Sequence, residues 1–552
     1  MKIDINSIGY RWKGIYSPLL SYIDGDVVYQ NGSVYVYRGG TLQNFALGQQ
    51  DALLAGQLLN GGVSVGGSWG QVLMSNGGAG VSFSFENERG GTIATALLDT
   101  YNGMGCNANN HYMMALMNEG QIRAWGRGNT GQLGIGRSDD VGWSWPQRVA
   151  MPSSAPRFVS MHAAWDATFF IGADGSLWCC GSNGENANGT GSQQDMPVKL
   201  NGYGDLGASV KVTKVFSAYD YYGYRMMGCI DTNGYVYMWG TNNNGACGWG
   251  TTTASSVPKI VPWTVSNPCK AVWPSAGNYG ATMFVKLDGT AYMAGESSST
   301  GLGGGDRYIP TKFAPWDTED AVKKYGQNES DAHWAAGSQY YRDWGVLLEN
   351  GNLYLWGDDG GQVGGGWGDG TTGDSYPSTS GYPKLCLTNV QDFFTKGGGY
   401  HSSIALMKDG TVKATGASNY NINNNTSDTT TWATIGGSYL TNGVKLLGLG
   451  GTYGAVCALL RSDGKVVCWG NNDAGISGTG ITTTAPADMN FVALNKTVID
   501  IQFSGTTYGG NADTALFMLC NDGTVYMTGQ GSYGMGGSTS NNNRYAPQQI
   551  IF

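Results

Sequence analysis

The sequence predicts an all-β protein: a β-propeller of eight four-stranded blades, preceded by a small β module and a Gly-rich connector. Three observations carry that expectation. First, one hairpin outline recurs along the chain: an apolar strand, an Asp-Gly or Asn-Gly turn, and a second strand running into Trp-Gly, clearest at 455–470 (AVCALLRSDGKVVCWG). Second, its turn glycines, Gly120, Gly175, Gly234, Gly289, Gly351, Gly410, Gly464 and Gly523, are spaced by 55, 59, 55, 62, 59, 54 and 59 residues. A period held over that many copies signals a repeat architecture. Third, each repeat divides into four short strands. In the repeat around Gly464 they are expected at Val444–Leu449, Ala455–Leu460, Lys465–Trp469 and Phe491–Leu494, and the last repeat ends on Ala546–Phe552. Such units close into a ring of blades, which protects edges that an open stack would expose.

Composition agrees and excludes several classes. Glycine reaches 91 of 552 residues beside 32 Tyr and 18 Trp, which suits short strands on tight turns and not a disordered chain. Charged residues are only 13% with a net charge of −9 and no basic stripe, so no nucleic-acid partner is expected. The ten cysteines follow no metal-ligand spacing and read as buried apolar residues. Cys457 and Cys468 flank one hairpin and either face each other or stay reduced. The N-terminus carries no signal-peptide pattern, and no apolar run approaches the roughly 18 residues of a membrane helix. Synthesis in the cytoplasm, without membrane insertion, is the expectation.

Residues 1–50 are expected to form a small β domain. Strands are predicted at Asp26–Gln30 and Ser33–Tyr37 around the turn Asn31-Gly32. Trp12, Gly14 and Tyr16, then Tyr22, Gly25-Asp26-Val27 and Tyr29, then Tyr35, resemble the chitin- and cellulose-binding modules of bacterial chitinases, relatives of which occur in phage tail fibres. The resemblance implies carbohydrate stacking by Trp12, Tyr16 and Tyr22, since a flat ring offers its π-face to a pyranose at little entropic cost. The same aromatics could instead form the core of so small a module. Residues 51–92 are a Gly/Ser-rich connector or oligomerisation segment. Within it GQVLMSNGGAGVSFSF predicts strands at Val72–Met74 and Val81–Phe85, and it resembles short segments of phage tail fibres and other virion appendages.

Residues 93–552 hold the repeats. WGRGNTGQLGIG at 125–136, PQRV at 146–149, WGTNNNGACGWG at 239–250 and WGNNDAGISGTG at 469–480 resemble the regulator-of-chromosome-condensation propeller family. Ala294-Gly295, Thr415-Gly416 and Thr528-Gly529 depart from its Trp-Gly. That family usually has seven blades; the count here gives eight, with seven as the alternative. Its function does not transfer, because propellers host unrelated activities.

The informative loops lie between the first and second strands of each repeat, where the family's histidine is mostly replaced by an aromatic. Trp165, Tyr221, Tyr279, Tyr340, Tyr400, Tyr453 and Tyr508 are the candidate residues of a binding face, expected around one mouth of the channel. Interblade packing is the competing role for them. Catalysis finds no pattern: the four histidines form no metal or nucleophile constellation, and no paired carboxylates recur. The Gly-rich loops lack the Lys-Ser/Thr of a phosphate loop, and DDGGQVGGGWGDG at 358–370 lacks ordered calcium-ligand spacing. No enzyme activity, metal or cofactor is expected. The functional expectation is a bacteriophage virion appendage, a tail fibre or receptor-binding protein located on the virion. It would recognise a host surface glycan or receptor and contact other virion proteins, as a homotrimer or a monomer. The alternatives are a structural decoration or baseplate protein, or a cellular propeller scaffold that binds proteins.

Overall fold

The computed structural model describes the strands at 11–15, 26–30, 33–38, 41–44, 71–75 and 83–87. Within 93–552 it describes everything except 100–110, 119, 139–141, 220–223, 276–279, 297–301, 303–304, 314–320, 330–341, 358–382, 397–401, 419–426, 451–454, 473, 481–484, 490–495, 507–512 and 537–541. The chain divides into two compact units, Met1–Ile93 and Ala94–Ile551.

In the first unit Arg11–Ile15 runs parallel to Asp26–Gln30, which pairs antiparallel with Ser33–Arg38 and through it Thr41–Asn44. Gln30 faces Ser33, so the hairpin connection has the two-residue length that Asn31-Gly32 implies, although the turn itself lies outside the described residues. Gln71–Ser75 pairs with Phe83–Asn87, Leu73 opposite Phe85.

The second unit is a ring of eight four-stranded antiparallel sheets, each made of four consecutive strands. Blade 1 begins at Ala94 and blade 8 ends at Ile550. Among the described residues no strand crosses from the C-terminus into blade 1, so the ring closes by contacts between blades of consecutive strands. First strands of successive blades pack on one another, which places them nearest the axis. The middle strands are buried on both sides, as in Ala167–Gly172 and Leu177–Gly181 of blade 2. The apolar clusters sit between blades: Phe169, Cys179, Tyr237 and Trp239 join blades 2 and 3, and Leu447, Ile476, Phe503 and Leu516 join blades 7 and 8. A single repeat therefore has no complete core of its own.

The local chemistry explains the period. In the turn at 172–175, the Gly175 N–H donates to the Gly172 carbonyl at 2.8 Å, and the Asp174 carboxylate accepts from the Ser176 N–H at 2.9 Å. All eight turn glycines have φ between +76° and +96°, while the residue before each, where it is described, does not share the positive φ. That is a type I turn with a left-handed glycine, the three-residue hairpin form. The turn glycine carbonyl then accepts from the first strand of the next blade: Val212 N–H to Gly175 at 2.7 Å, and Val498 N–H to Gly464 at 3.0 Å. The same bond from Ala94 N–H to Gly523, at 2.8 Å, closes the ring.

Trp-Gly is a second tie. A Cβ on Gly240 would lie 2.2 Å from the Arg225 carbonyl, and on Gly529 2.4 Å from that of Thr514, so this glycine persists where the Trp does not. The Trp239 indole N–H donates to the Ala187 carbonyl of the preceding blade at 3.0 Å, and Trp125 donates to Met535 at 3.1 Å. At Thr528 and Cys180 the donor survives a change of side chain, whereas Ala294 offers none. The Thr528 hydroxyl donates to Ile476 at 2.8 Å, and the Cys180 thiol to Gln132 at 3.4 Å; each acceptor is the sixth residue after its blade's Gly. The Gly-rich loops are ties as well: the N–H groups of Gly136, Gly250 and Gly480 donate to Asp195, Tyr308 and Tyr545 of the next blade's outer strand at 2.7–2.9 Å.

Two expectations need correcting. The fourth strand of blade 7 is Ala487–Asp488, paired with Cys468 and Val467; Phe491–Leu494 lies outside the described residues. The last strand is Arg544–Ile550 and ends two residues before the C-terminal Phe552.

A further regularity has no counterpart in the expectations above. The first strand of every blade carries a bulge near its start, at Thr95, Val159, Thr213, Lys270, Lys323, Gln391, Val444 and Ile499. A bulge places two successive residues where the partner strand has one and re-aims the side chain.

Candidate functional site

Where the first strand ends and the second begins, blades 2 and 3 bring four side chains together. Ala164 pairs with Ala167 in blade 2, and Ala218 with Met226 in blade 3, which makes Trp165 the counterpart of Tyr219 and Asp166 that of Arg225. Like positions meet across the interface. The Trp165 and Tyr219 rings stack in parallel, centroids 4.1 Å apart at 8°, and the Arg225 guanidinium lies 5.6 Å from the Tyr219 ring centre. Arg225 Nη1 is 2.8 Å from the Asp166 carboxylate and donates to the Gly184 carbonyl at 3.0 Å. Burial pushes the Asp166 carboxyl above the ordinary carboxylate range, and the Arg225 charge opposes that shift. Asp166 and Arg225 are thus buried positioning groups, while Trp165 and Tyr219 remain half-buried at the surface. Trp165 has φ +60°, a left-handed backbone that a bulky residue adopts at a cost of about 1–2 kcal/mol. Such strain persists where the surroundings over-determine it, commonly at functional positions.

A related cluster joins blades 8 and 1. His111, at φ +59°, lies 5.3 Å from the Tyr533 ring, over which the Arg127 guanidinium sits at 4.8 Å. Burial, helped by the Arg127 charge, lowers the His111 pKa to about 4, so its imidazole is neutral at physiological pH.

Across blades 1, 2 and 3 there is a serine–histidine–aspartate grouping. His162 Nε2 is 2.9 Å from the Ser217 hydroxyl, and Nδ1 is 3.7 Å from Asp99. The Ser217 hydroxyl donates to the Ala163 carbonyl at 3.2 Å and is buried between blades, as is His162. Asp99 itself pairs its backbone with Met161 and Ala163 of the neighbouring blade. This geometry fastens three blades. Among the described residues no three His, Cys, Asp or Glu side chains are grouped to hold a metal ion. Cys457 stands opposite Trp469 and Cys468 opposite Ala458; both are free, buried thiols, and burial raises their pKa values.

Of the residues singled out in the sequence, Trp165 is at the loop end of the innermost strand of blade 2. Tyr221, Tyr279, Tyr340, Tyr400, Tyr453 and Tyr508 lie outside the described residues, as do Tyr16 and Tyr22; Trp12 lies within the strand Arg11–Ile15. In blade 3 the register assigns the counterpart of Trp165 to Tyr219 and not Tyr221. Tyr219, Arg225, Tyr533 and Arg127 were missed. The string SAYDYYGYR offers several tyrosines, and only counting from its Ser-Ala side against HAAWDA would have selected Tyr219.

The sequence profile of the Regulator of chromosome condensation (RCC1) repeat matches residues 119–171 and 233–283. The fold and those segments define an all-β propeller of eight blades that carries RCC1-type repeats. Over 206 residues the chain is 27% identical to the human E3 ubiquitin-protein ligase HERC2, a stretch of 37% of this chain and 4% of the ligase. The mouse HERC2 match is 28% over 162 residues, 29% of this chain and 3% of that protein. The chain therefore corresponds to a small part of these relatives' length. Among solved structures, human WBSCR16 is 15% identical with a TM-score of 0.46, covering 78% of this chain and 94% of that one. Prp20p of Saccharomyces cerevisiae is 16% identical with a TM-score of 0.46, covering 74% and 93%.

Proposed function

We propose that the chain is a non-enzymatic recognition propeller, a scaffold that binds a protein partner across the face bearing the Trp165–Tyr219 stack. The observation that carries this reading is the strained, half-buried Trp165 held on Tyr219 by a buried ion pair. A rigid aromatic pair offers contact area with little entropy left to lose, which is the character of interface anchors. The occurrence of similar repeats within the mammalian HERC2 proteins also supports a cellular scaffold.

A second reading has its own observation. The strand pair Gln71–Ser75 and Phe83–Asn87 carries the segment that resembles phage appendages. On that reading the chain is located on a virion and the partner is a host surface glycan, bound by the same platform or by residues 1–50. Binding of the intact chain to protein and glycan arrays separates the two. The scaffold reading expects protein ligands whose binding falls at least tenfold in Tyr219→Ala. Glycan ligands with no protein ligand would overturn it in favour of the second.

A further inference from the structure

On the hairpin-turn side of the ring, opposite the face bearing Trp165, the bulged residues gather around the axis. Val159, Val444 and Ile499 are 53%, 47% and 54% exposed, although they sit on the innermost strands of blades whose flanks are packed. At the start of such a strand an exposed side chain faces the turn-side end of the ring, at or beside the channel mouth. The bulge therefore turns these residues towards the channel mouth, in every blade at the same position.

The ring they form is two-sided. Blades 7, 8, 1 and 2 present Val444, Ile499, Thr95 and Val159, whereas blades 4 and 5 present Lys270 and Lys323. The residues directly after the bulges add Lys214, Lys324 and Lys445 but only two acids, Asp392 and Asp500. Each acid already has a partner: Lys324 reaches Asp392 at 2.5 Å, and Lys445 reaches Asp500 at 2.6 Å. Lys214 and Lys323 donate to backbone carbonyls, those of Lys270 and Gln391 at 2.8 and 2.6 Å, so their charge is not neutralised by these bonds. Over the bulged positions and those directly after them, lysines thus outnumber acids by three, with Lys214, Lys270 and Lys323 on blades 3, 4 and 5, in a chain whose net charge is −9.

From this we infer that the turn-side mouth of the channel is a docking site for an extended acidic peptide segment that also carries branched apolar side chains. Its carboxylates lie against the Lys214–Lys270–Lys323 arc and its apolar residues against Val159, Val444 and Ile499. Charge complementarity chooses the acidic partner, and the apolar half of the ring chooses a peptide over a nucleic acid, whose backbone would leave those side chains uncovered. The inference does not rest on the loop-face reading, since it uses other residues on the other side.

The test is fluorescence anisotropy with the full chain and a labelled twelve-residue peptide of alternating Glu and Leu. Control probes carry Gln or Lys in place of Glu, and a fourth probe is single-stranded oligothymidine. The Glu-Leu peptide is expected to bind, more weakly as salt rises. Lys270→Gln with Lys323→Gln should weaken it about tenfold, the product of two modest exposed charge contacts. Ile499→Asn should weaken both the Glu and the Gln peptide, and Tyr219→Ala should change nothing. Equal binding of the Glu, Gln and Lys peptides, undiminished binding by the double lysine variant with native-like circular dichroism, or binding of oligothymidine alone would overturn the inference.

Discussion

Thr528→Val isolates the hydrogen bond that ties blade 8 to blade 7. Thr528 is fully buried, and its hydroxyl donates to the Ile476 carbonyl at 2.8 Å, in the place where other blades use a Trp indole. Valine keeps the shape and the β-branched fit to the strand but removes the donor. Losing a buried bond and leaving its carbonyl without that donor costs about 1–3 kcal/mol. A methyl in place of a hydroxyl in an apolar site returns up to about 1 kcal/mol. The net expectation is a loss of about 1–2 kcal/mol. Equilibrium urea unfolding followed by tryptophan fluorescence reads it as a lower midpoint at unchanged slope. Thr528→Ser, which keeps the hydroxyl, should lose less. A Thr528→Val protein that unfolds at the native urea concentration, or a Thr528→Ser protein that falls as far, would refute the reading of Thr528 as a replacement donor.

The fold was legible because its period is written in residues that the backbone requires. Turn glycines at positive φ and the glycine facing the Arg225 carbonyl cannot drift as the Trp beside them does. The short fourth strand of blade 7 was not legible: Ala487–Asp488 follows Pro486, while the apolar string at 491–494 looks more strand-like in isolation. The site was half legible. Trp165 stood out as an aromatic in a recurring loop, but its partner depended on register, since blade 2 has a two-residue connection and blade 3 a longer one. Arg225 reaches Asp166 across 59 positions and between blades, which no local pattern reports. The bulges were silent in sequence because the bulged residues share no chemistry, from Thr95 to Lys323 to Ile499.

Two further perturbations test the same physics. Gly240→Ala forces a Cβ to within 2.2 Å of the Arg225 carbonyl at φ +96°, and should cost at least about 2 kcal/mol in the same urea assay. His111 has a folded pKa of about 4 against an ordinary 6.5, so its contribution to stability is complete above 6.5 and is lost as pH falls towards 4. The span corresponds to about 3 kcal/mol, and His111→Asn, which tolerates the left-handed backbone, should flatten that part of the pH–stability curve relative to the native protein.

The proposed recognition face is tested most directly by oxidative footprinting of the intact chain, free and bound to a partner protein recovered from the array. Hydroxyl-radical modification of Trp165 and Tyr219 should fall several-fold on binding, and Tyr219→Ala should weaken the complex by about 2 kcal/mol or more, as for an interface anchor. Unchanged oxidation of both rings in a saturated complex, with protection confined to other blades, would contradict the assignment.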